Sequence, residues 1–355
     1  MKILSIIIIL LLPASYVMAQ SNNCEALLEA VRDNNIQRTR ELLKNQSANC
    51  SYRGDEEPRS PMGVAAYTGN LEIGKLLLSS GAKVSYKGDG DASALMIAAS
   101  RGHLDFVKLL VKNGANPNRM VSGDGTALLV AAGRGKYEVA KYLIDKGANV
   151  NVRVRGDGTP LIMAVRRNHY KVAKLLLENG ADPNRASSGD GNPVIHAMKF
   201  KDPKMIELLL EYKADINQGV EGDGSAMITA ARRGNLNLIK VLVENGAEVN
   251  KGVKGDGNAL IAAATGGHLK IATYLVSKGA DVNLHIPGDE TPLINAARHG
   301  HLEMVKYLVN QGADVNKSAR DGYFLNSEVR TPLNMARRGK HTEVINYLIQ
   351  KGAKK

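Results

Sequence analysis

Polar and apolar positions alternate along this chain with a long, fixed period. The stretch Gly156 to Arg185, GDGTPLIMAVRRNHYKVAKLLLENGADPNR, opens on a Gly-Asp turn, runs into one short apolar segment, and after a polar break runs into a second. The Gly-Asp pair returns at Gly90, Gly123, Gly156, Gly189, Gly222, Gly255 and Gly288, always 33 residues apart. The first apolar segment of each period follows Ser60, Ser93, Thr126, Thr159, Asn192, Ser225, Asn258, Thr291 or Thr331. Ser, Thr and Asn are the side chains that accept from the free N–H groups of a helix's first turn. Pro61, Pro160, Pro193, Pro292 and Pro332 come next, where a missing N–H costs little. The second segments end at Gly81, Gly114, Gly147, Gly180, Gly246, Gly279, Gly312 and Gly352, residues that stop a helix in the left-handed region. The pattern predicts a turn and two short helices per period.

That plan resembles the ankyrin repeat. Thr159-Pro160-Leu161, Ala164, Leu175-Leu176, Gly180-Ala181 and Asn184 match the family's Thr-Pro-Leu, Ala, Leu-Leu, Gly-Ala and Asn positions, and the resemblance covers roughly nine tenths of the chain. It implies an all-α repeat solenoid, a stack of helix-turn-helix units joined by β-hairpin-like fingers. It also implies that the ends of the first helices face a concave groove and that His103, His268 and His301 bridge adjacent repeats by hydrogen bonds. The chain departs from the family in two respects. Met96, Leu129, Ile162, Ile195, Ile228, Ile261 and Ile294 stand where the family usually has His, and a Gly-Asp-Gly triplet replaces Asp-x-x-Gly in the turn.

Read in order, residues 1–19 form a signal peptide: a basic start at Lys2, a ten-residue segment from Ile3 to Leu12 that is apolar except at Ser5, and small residues before Gln20. A membrane span needs about 20 apolar residues, so this segment is too short to be one. Residues 20–59 are expected to form an N-terminal capping repeat, 60–330 eight internal repeats and 331–355 a C-terminal capping repeat, in one continuous body. Two units break the pattern. The sixth has Lys213 where its siblings have Gly, and the ninth is 40 residues long, its extra length in a finger from Lys317 to Arg330 that carries Tyr323 and Phe324. The only cysteines, Cys24 and Cys50, flank the first helical hairpin. A disulfide there would stabilise the end repeat by roughly 3 kcal/mol in an oxidising compartment, and two buried thiols are the alternative.

Composition narrows the function. With 44% hydrophobic residues, 4% aromatics and no Trp, the core is built of Leu, Ile, Val and Ala, and a deep aromatic pocket is not expected. The net charge of +12 favours acidic proteins or anionic polymers as partners. The leader argues against nucleic acid and places the protein in the envelope, as an exported bacterial type, periplasmic or otherwise secreted. No cofactor, metal or catalytic constellation is expected. The seven finger aspartates, Asp91, Asp124, Asp157, Asp190, Asp223, Asp256 and Asp289, repeat once per layer. Layers lie about 8–10 Å apart, too far for neighbouring carboxylates to share a calcium ion whose ligands sit within about 2.6 Å. They read as turn residues bonding nearby backbone N–H groups.

The candidate binding residues are cations at the ends of the first helices. Arg101, Arg134, Arg167 and Arg233 share one repeat position, and Arg166, Lys199, Arg232 and Arg298 share the position before it. Offsetting the negative helix C-terminus accounts for each of them singly, but a file of them makes a positive field. Phe200 falls in the arginine position and Phe324 in the long finger, both candidate anchors, whereas Phe106 reads as core. The resulting reading is a monomeric, non-catalytic interaction module whose concave basic face engages an acidic protein. A receptor for an anionic polymer, glycan or lipid head group is the alternative.

Overall fold

The computed structural model describes residues 24–51, 60–85, 93–121, 123, 125–186, 191–200, 202–220, 224–286, 289–319 and 329–354. The chain divides into two compact units, Met1–Val152 and Arg153–Lys355.

The first unit contains α1 (24–32), α2 (Ile36–Leu42), α3 (Pro61–Thr68), α4 (Leu71–Ser79), α5 (Ala94–Arg101), α6 (Leu104–Lys112), α7 (Ala127–Gly133) and α8 (Tyr137–Asp145). The second contains α9 (Pro160–Arg166), α10 (Tyr170–Glu178), α11 (Pro193–Ala197), α12 (Lys204–Glu211), α13 (Ala226–Arg232), α14 (Leu236–Glu244), α15 (Ala259–Thr265), α16 (Leu269–Ser277), α17 (Pro292–Arg298), α18 (Leu302–Asn310), α19 (Pro332–Arg338) and α20 (Thr342–Gln350). Each unit is an all-α repeat solenoid of helix pairs. Its β structure, among the described residues, is confined to the fingers: β1 (Gly252–Val253) pairs antiparallel with β2 (Gly257–Asn258), and single bridges join Val121 to Gly125, Val154 to Gly158, Val220 to Gly224 and Ala319 to Arg330.

All nine expected caps are in place. Ser60, Ser93, Thr126, Thr159, Asn192, Ser225, Asn258, Thr291 and Thr331 each accept, through a side-chain oxygen, from the backbone N–H three residues on. Within each unit the first helices of successive repeats pack on one another more closely than the second helices do. Their buried faces are small, as with Ala98-Ala99, Ala131-Ala132, Ala230-Ala231 and Ala296-Ala297, so their backbones approach. The first-helix side is therefore the inner face of each stack. The second helices bury larger residues such as Val172 and Leu176, and Phe106 is core, as expected.

In four repeats the second glycine of the Gly-Asp-Gly turn packs on the isoleucine that stands in the histidine position. Gly156 and Gly158 have φ of 88° and 82°, a conformation that side chains disfavour. A Cβ on Gly158 would come within 3.1 Å of the Ile162 side chain, and one on Gly257 within 3.1 Å of Ile261. The isoleucine that replaces histidine thus packs directly beneath the second glycine of its own finger, sealing the turn onto the helix.

Adjacent layers are pinned by side chains the repeat supplies. Asn283 donates to the Gly312 carbonyl at 2.9 Å and accepts from Asp314 N at 2.9 Å; Asn49, Asn118, Asn184, Asn217, Asn250 and Asn316 make the same pair of bonds. His103 and His301 bridge to the carbonyls of Tyr67 and Thr265, and His341, preceded by Lys340 in place of Gly, does the same to Arg298. Cys24 and Cys50 are joined by a disulfide, with Cα atoms 5.8 Å apart. Cys24 lies within the residues of α1, not ahead of that helix.

The sixth repeat is irregular, as its sequence suggests. Lys213 sits at φ 63°. The first helix, α11, has five residues against seven or eight in the other repeats from residue 60 onward, and within the second unit it packs more weakly on α13 than the other first helices do on their neighbours.

Candidate cation-lined interaction site

The structure places the predicted cations at the ends of first helices and gives them different surroundings. Arg101, the last residue of α5, lies flat over the Tyr67 ring, 3.6 Å from its centroid. Arg134 and Arg167 cap α7 and α9 and are exposed, and Arg166, the last residue of α9, is half-buried. Lys199 lies just past the end of α11 and is exposed; Phe200 beside it is half-buried. Arg233 donates from Nη1 to the Met198 carbonyl at 3.2 Å, which ties it to the preceding repeat. Phe324 lies outside the described residues, as do Asp91, Asp124, Asp190 and Asp223.

Two members of the file, Arg232 and Arg298, come together around one cavity of about 480 Å³ in the second unit. Arg232 meets Asp256 at 3.4 Å. Arg298 donates from Nε to Glu290 at 3.2 Å and pairs with the same carboxylate through Nη2, while Arg330 Nη1 reaches it at 3.0 Å. Asp289, Thr265 and Asn295 complete the polar wall, and Ile261 and Ala262 give an apolar floor. The side chains of Asp256 and Glu290 are 9% and 7% exposed, those of Arg232, Arg298 and Arg330 55%, 31% and 27%. Three cations and three carboxylates sum to zero, yet the cations hold the accessible edge.

Glu290 was not among the residues expected to matter. The signal was present: it stands where five other fingers have the second glycine of the triplet, Gly125, Gly158, Gly191, Gly224 and Gly257. Nor do the finger aspartates act only within their own turns. Asp289 Oδ2 accepts from Gly255 N at 3.1 Å and Gly257 N at 3.0 Å, both in the preceding finger. The turn supplies two converging amides, and the next layer supplies their acceptor. Burial pushes the Asp289 carboxyl above its ordinary value; the two glycine amides and His285 oppose that shift, and Asp256 adds to it. Arg119 and Lys317 donate to the Ser85 and Asn283 carbonyls of the preceding repeat at 2.8 and 2.7 Å.

A family model described as ankyrin repeats (3 copies) matches residues 95–187, 194–286 and 284–355, and a second, ankyrin repeats (many copies), matches 64–111 and 167–210. The chain belongs to the ankyrin-repeat family. Among solved structures, the crystal structure of the human ASB11 ankyrin repeat domain is similar at 26% identity and a TM-score of 0.54, over 63% of this chain and 99% of that one. No curated protein matches. Ankyrin repeats bind other proteins, so the chain is a protein–protein interaction module on a scaffold that is typically non-catalytic. Among the described residues, no group of three His, Cys, Asp or Glu side chains could hold a metal ion, and no helix is long and apolar enough to cross a membrane.

Proposed function

We propose that this ankyrin chain is an exported scaffold that holds an acidic protein against the ends of its first helices. The observation that carries the reading is the pair Arg167 and Lys199. They sit in successive repeats of the second unit, both exposed, and neither has a carboxylate partner among the described residues. Cations left on an ordered surface attract an acidic partner without a rearrangement of the scaffold, and the attraction weakens as salt shortens its range to about 8 Å near 0.15 M. Export rests on the apolar leader segment and on the disulfide, which persists in oxidising compartments.

Affinity capture from an envelope fraction, with the mature chain as bait at low and moderate salt, tests this. An acidic protein retained at both salts, and lost when Arg167→Glu and Lys199→Glu are combined, is the expected result. Recovery of anionic polymer alone, released at moderate salt, would replace the protein partner with a polyanion. Retention by the double variant would remove these cations from the interface.

A further inference from the structure

The cavity between Arg232 and Arg298 has features that the rest of the cation file lacks. Asp256 and Glu290 lie deep, Asp289 is half-buried, and the guanidinium groups lie at the opening. Arg298 spends Nε and Nη2 on Glu290, and no bond from its Nη1 is made among the described residues. Arg232 spends Nη2 on Asp256, with Nε and Nη1 likewise unbonded. The Arg298 guanidinium is thus fixed along one edge by a buried acid and presents its other edge, while Arg232 is held by a single contact to Asp256. An edge held in that way has already lost its rotamer freedom, so an incoming carboxylate orders less on binding. The volume, about 480 Å³, suits a short segment rather than a whole interface.

We propose that this cavity is a recognition subsite for a single carboxylate, the Glu or Asp side chain of an extended acidic segment in the partner. The carboxylate forks between Arg232 and Arg298, and the aliphatic stem lies on Ile261 and Ala262. Thr265 and Asn295, both half-buried on the wall, are placed to meet the segment's backbone. Glu290 is a positioning residue: by holding Arg298 and Arg330 together it keeps the cationic edge in place. Because the six charges sum to zero, the site discriminates by geometry and not by net field. The subsite rests on the acidic-partner reading and narrows it to one place.

The test uses the full mature chain and a fluorescent octapeptide with two central glutamates among alanines and leucines, beside its glutamine analogue. Anisotropy at moderate salt is expected to show the glutamate peptide binding about tenfold tighter than the analogue. Arg298→Lys, which keeps a charge for Glu290 but loses the fork, is expected to remove most of that preference, and Lys270→Glu, an exposed cation of α16 outside both the cavity and the helix-end file, to change it less than about twofold. Nε–Hε resonances of Arg232 and Arg298 in the unsubstituted chain are expected to shift with the glutamate peptide only, a readout that stands even where a variant fails to fold. Loss of binding in Arg167→Glu, together with full binding by Arg298→Lys and unmoved Arg232 and Arg298 resonances in the unsubstituted chain, would overturn the subsite and leave the acidic-partner reading standing. Equal binding of the two peptides would overturn both.

Discussion

Residues 24–51 and residues 329–354 each hold a helical hairpin, and the two share the asparagine clasp between layers but differ in the chemistry added to it. The first hairpin is closed by the bond between Cys24 and Cys50, and next to it Asn49 grips Gly81 and Lys83 of the following repeat. The last is tied by charge and polar bonds: Arg330 on Glu290, His341 on the Arg298 carbonyl, and Asn316 between Gly352 and Lys354. A covalent tie is indifferent to salt and leaves no group over for a ligand. A tie made of guanidinium groups needs a carboxylate beneath it and presents cations above it. The second arrangement therefore lends its residues to recognition as well as to stability, and the first does not.

Reducing the first tie tests the largest difference. Closing a loop with the 26-residue separation of Cys24 and Cys50 is worth about 3 kcal/mol in the chain-entropy account. Because repeats couple only to their neighbours, the loss is expected to appear as local opening of residues 24–85 and to leave residues 329–354 unmoved. Amide exchange with and without reductant reads both regions at once. Equal opening in the two would show that the tie acts on the whole chain and break the comparison.

Removing the charged tie comes next. With Arg298 and Arg330 both changed to Ala, Glu290 is left buried without a cation, and stability falls by about 2 kcal/mol, less than for a fully buried pair because both guanidinium groups are partly solvated. Adding Glu290→Gln is expected to restore more than half of the loss. A urea titration that shows no rescue would assign the damage to lost packing of the arginine stems and not to the unpaired acid.

The two ties also differ in how much the sequence revealed. The disulfide was legible because both cysteines fall in the first unit, at the start of its first helix and after its second, and the caps, helix-end glycines and Pro positions were legible because each acts within a few residues. Arg232 and Arg298 could be placed at helix ends for the same reason. Their partners could not. Asp256 lies 24 residues beyond Arg232, in the next finger, Glu290 lies eight residues before Arg298, at the other end of α17, and Arg330 reaches Glu290 from 40 residues away in the chain. Glu290 could have been suspected only as the residue that breaks a run of glycines. Arg233 looked like an available cation because nothing local reveals its bond to the Met198 carbonyl, 35 residues back.

Asp289 sharpens the charged side of the comparison at a smaller scale. Its change to Ala leaves the Gly255 and Gly257 amides without an acceptor and is expected to cost about 1.5 kcal/mol. Asp289→Asn keeps an oxygen there and removes the titration. The folded chain holds the Asp289 proton more tightly than the unfolded chain, whose carboxyl keeps the ordinary value of 3.8. Stability from this group is thus full below that value and is lost as pH rises through the raised folded one. Unfolding followed from acid to neutral pH is expected to show the natural chain losing ground to the Asn variant over that window. A constant difference would mean that the proton plays no part in the clasp.

The smallest effect belongs to the repeat between the two ties. Lys213 ends α12 at φ 63°, where eight sibling positions carry glycine. A Cβ in that region costs on the order of 1 kcal/mol, and part of the cost is offset by the smaller freedom of a lysine backbone in the unfolded chain. Lys213→Gly is therefore expected to stabilise the chain by somewhat under about 1 kcal/mol, a rise of a few tenths of a molar in urea midpoint for this one repeat. The carbonyl of residue 213 still accepts from Asn184 after the change, because that bond is made by backbone. A gain confined to residues 192–224 would show that the shortened α11 and the strained turn make one weak layer on their own. A gain that spreads to the Glu290 cluster would mean that the strain is transmitted along the stack, and the charged tie would then be holding against it.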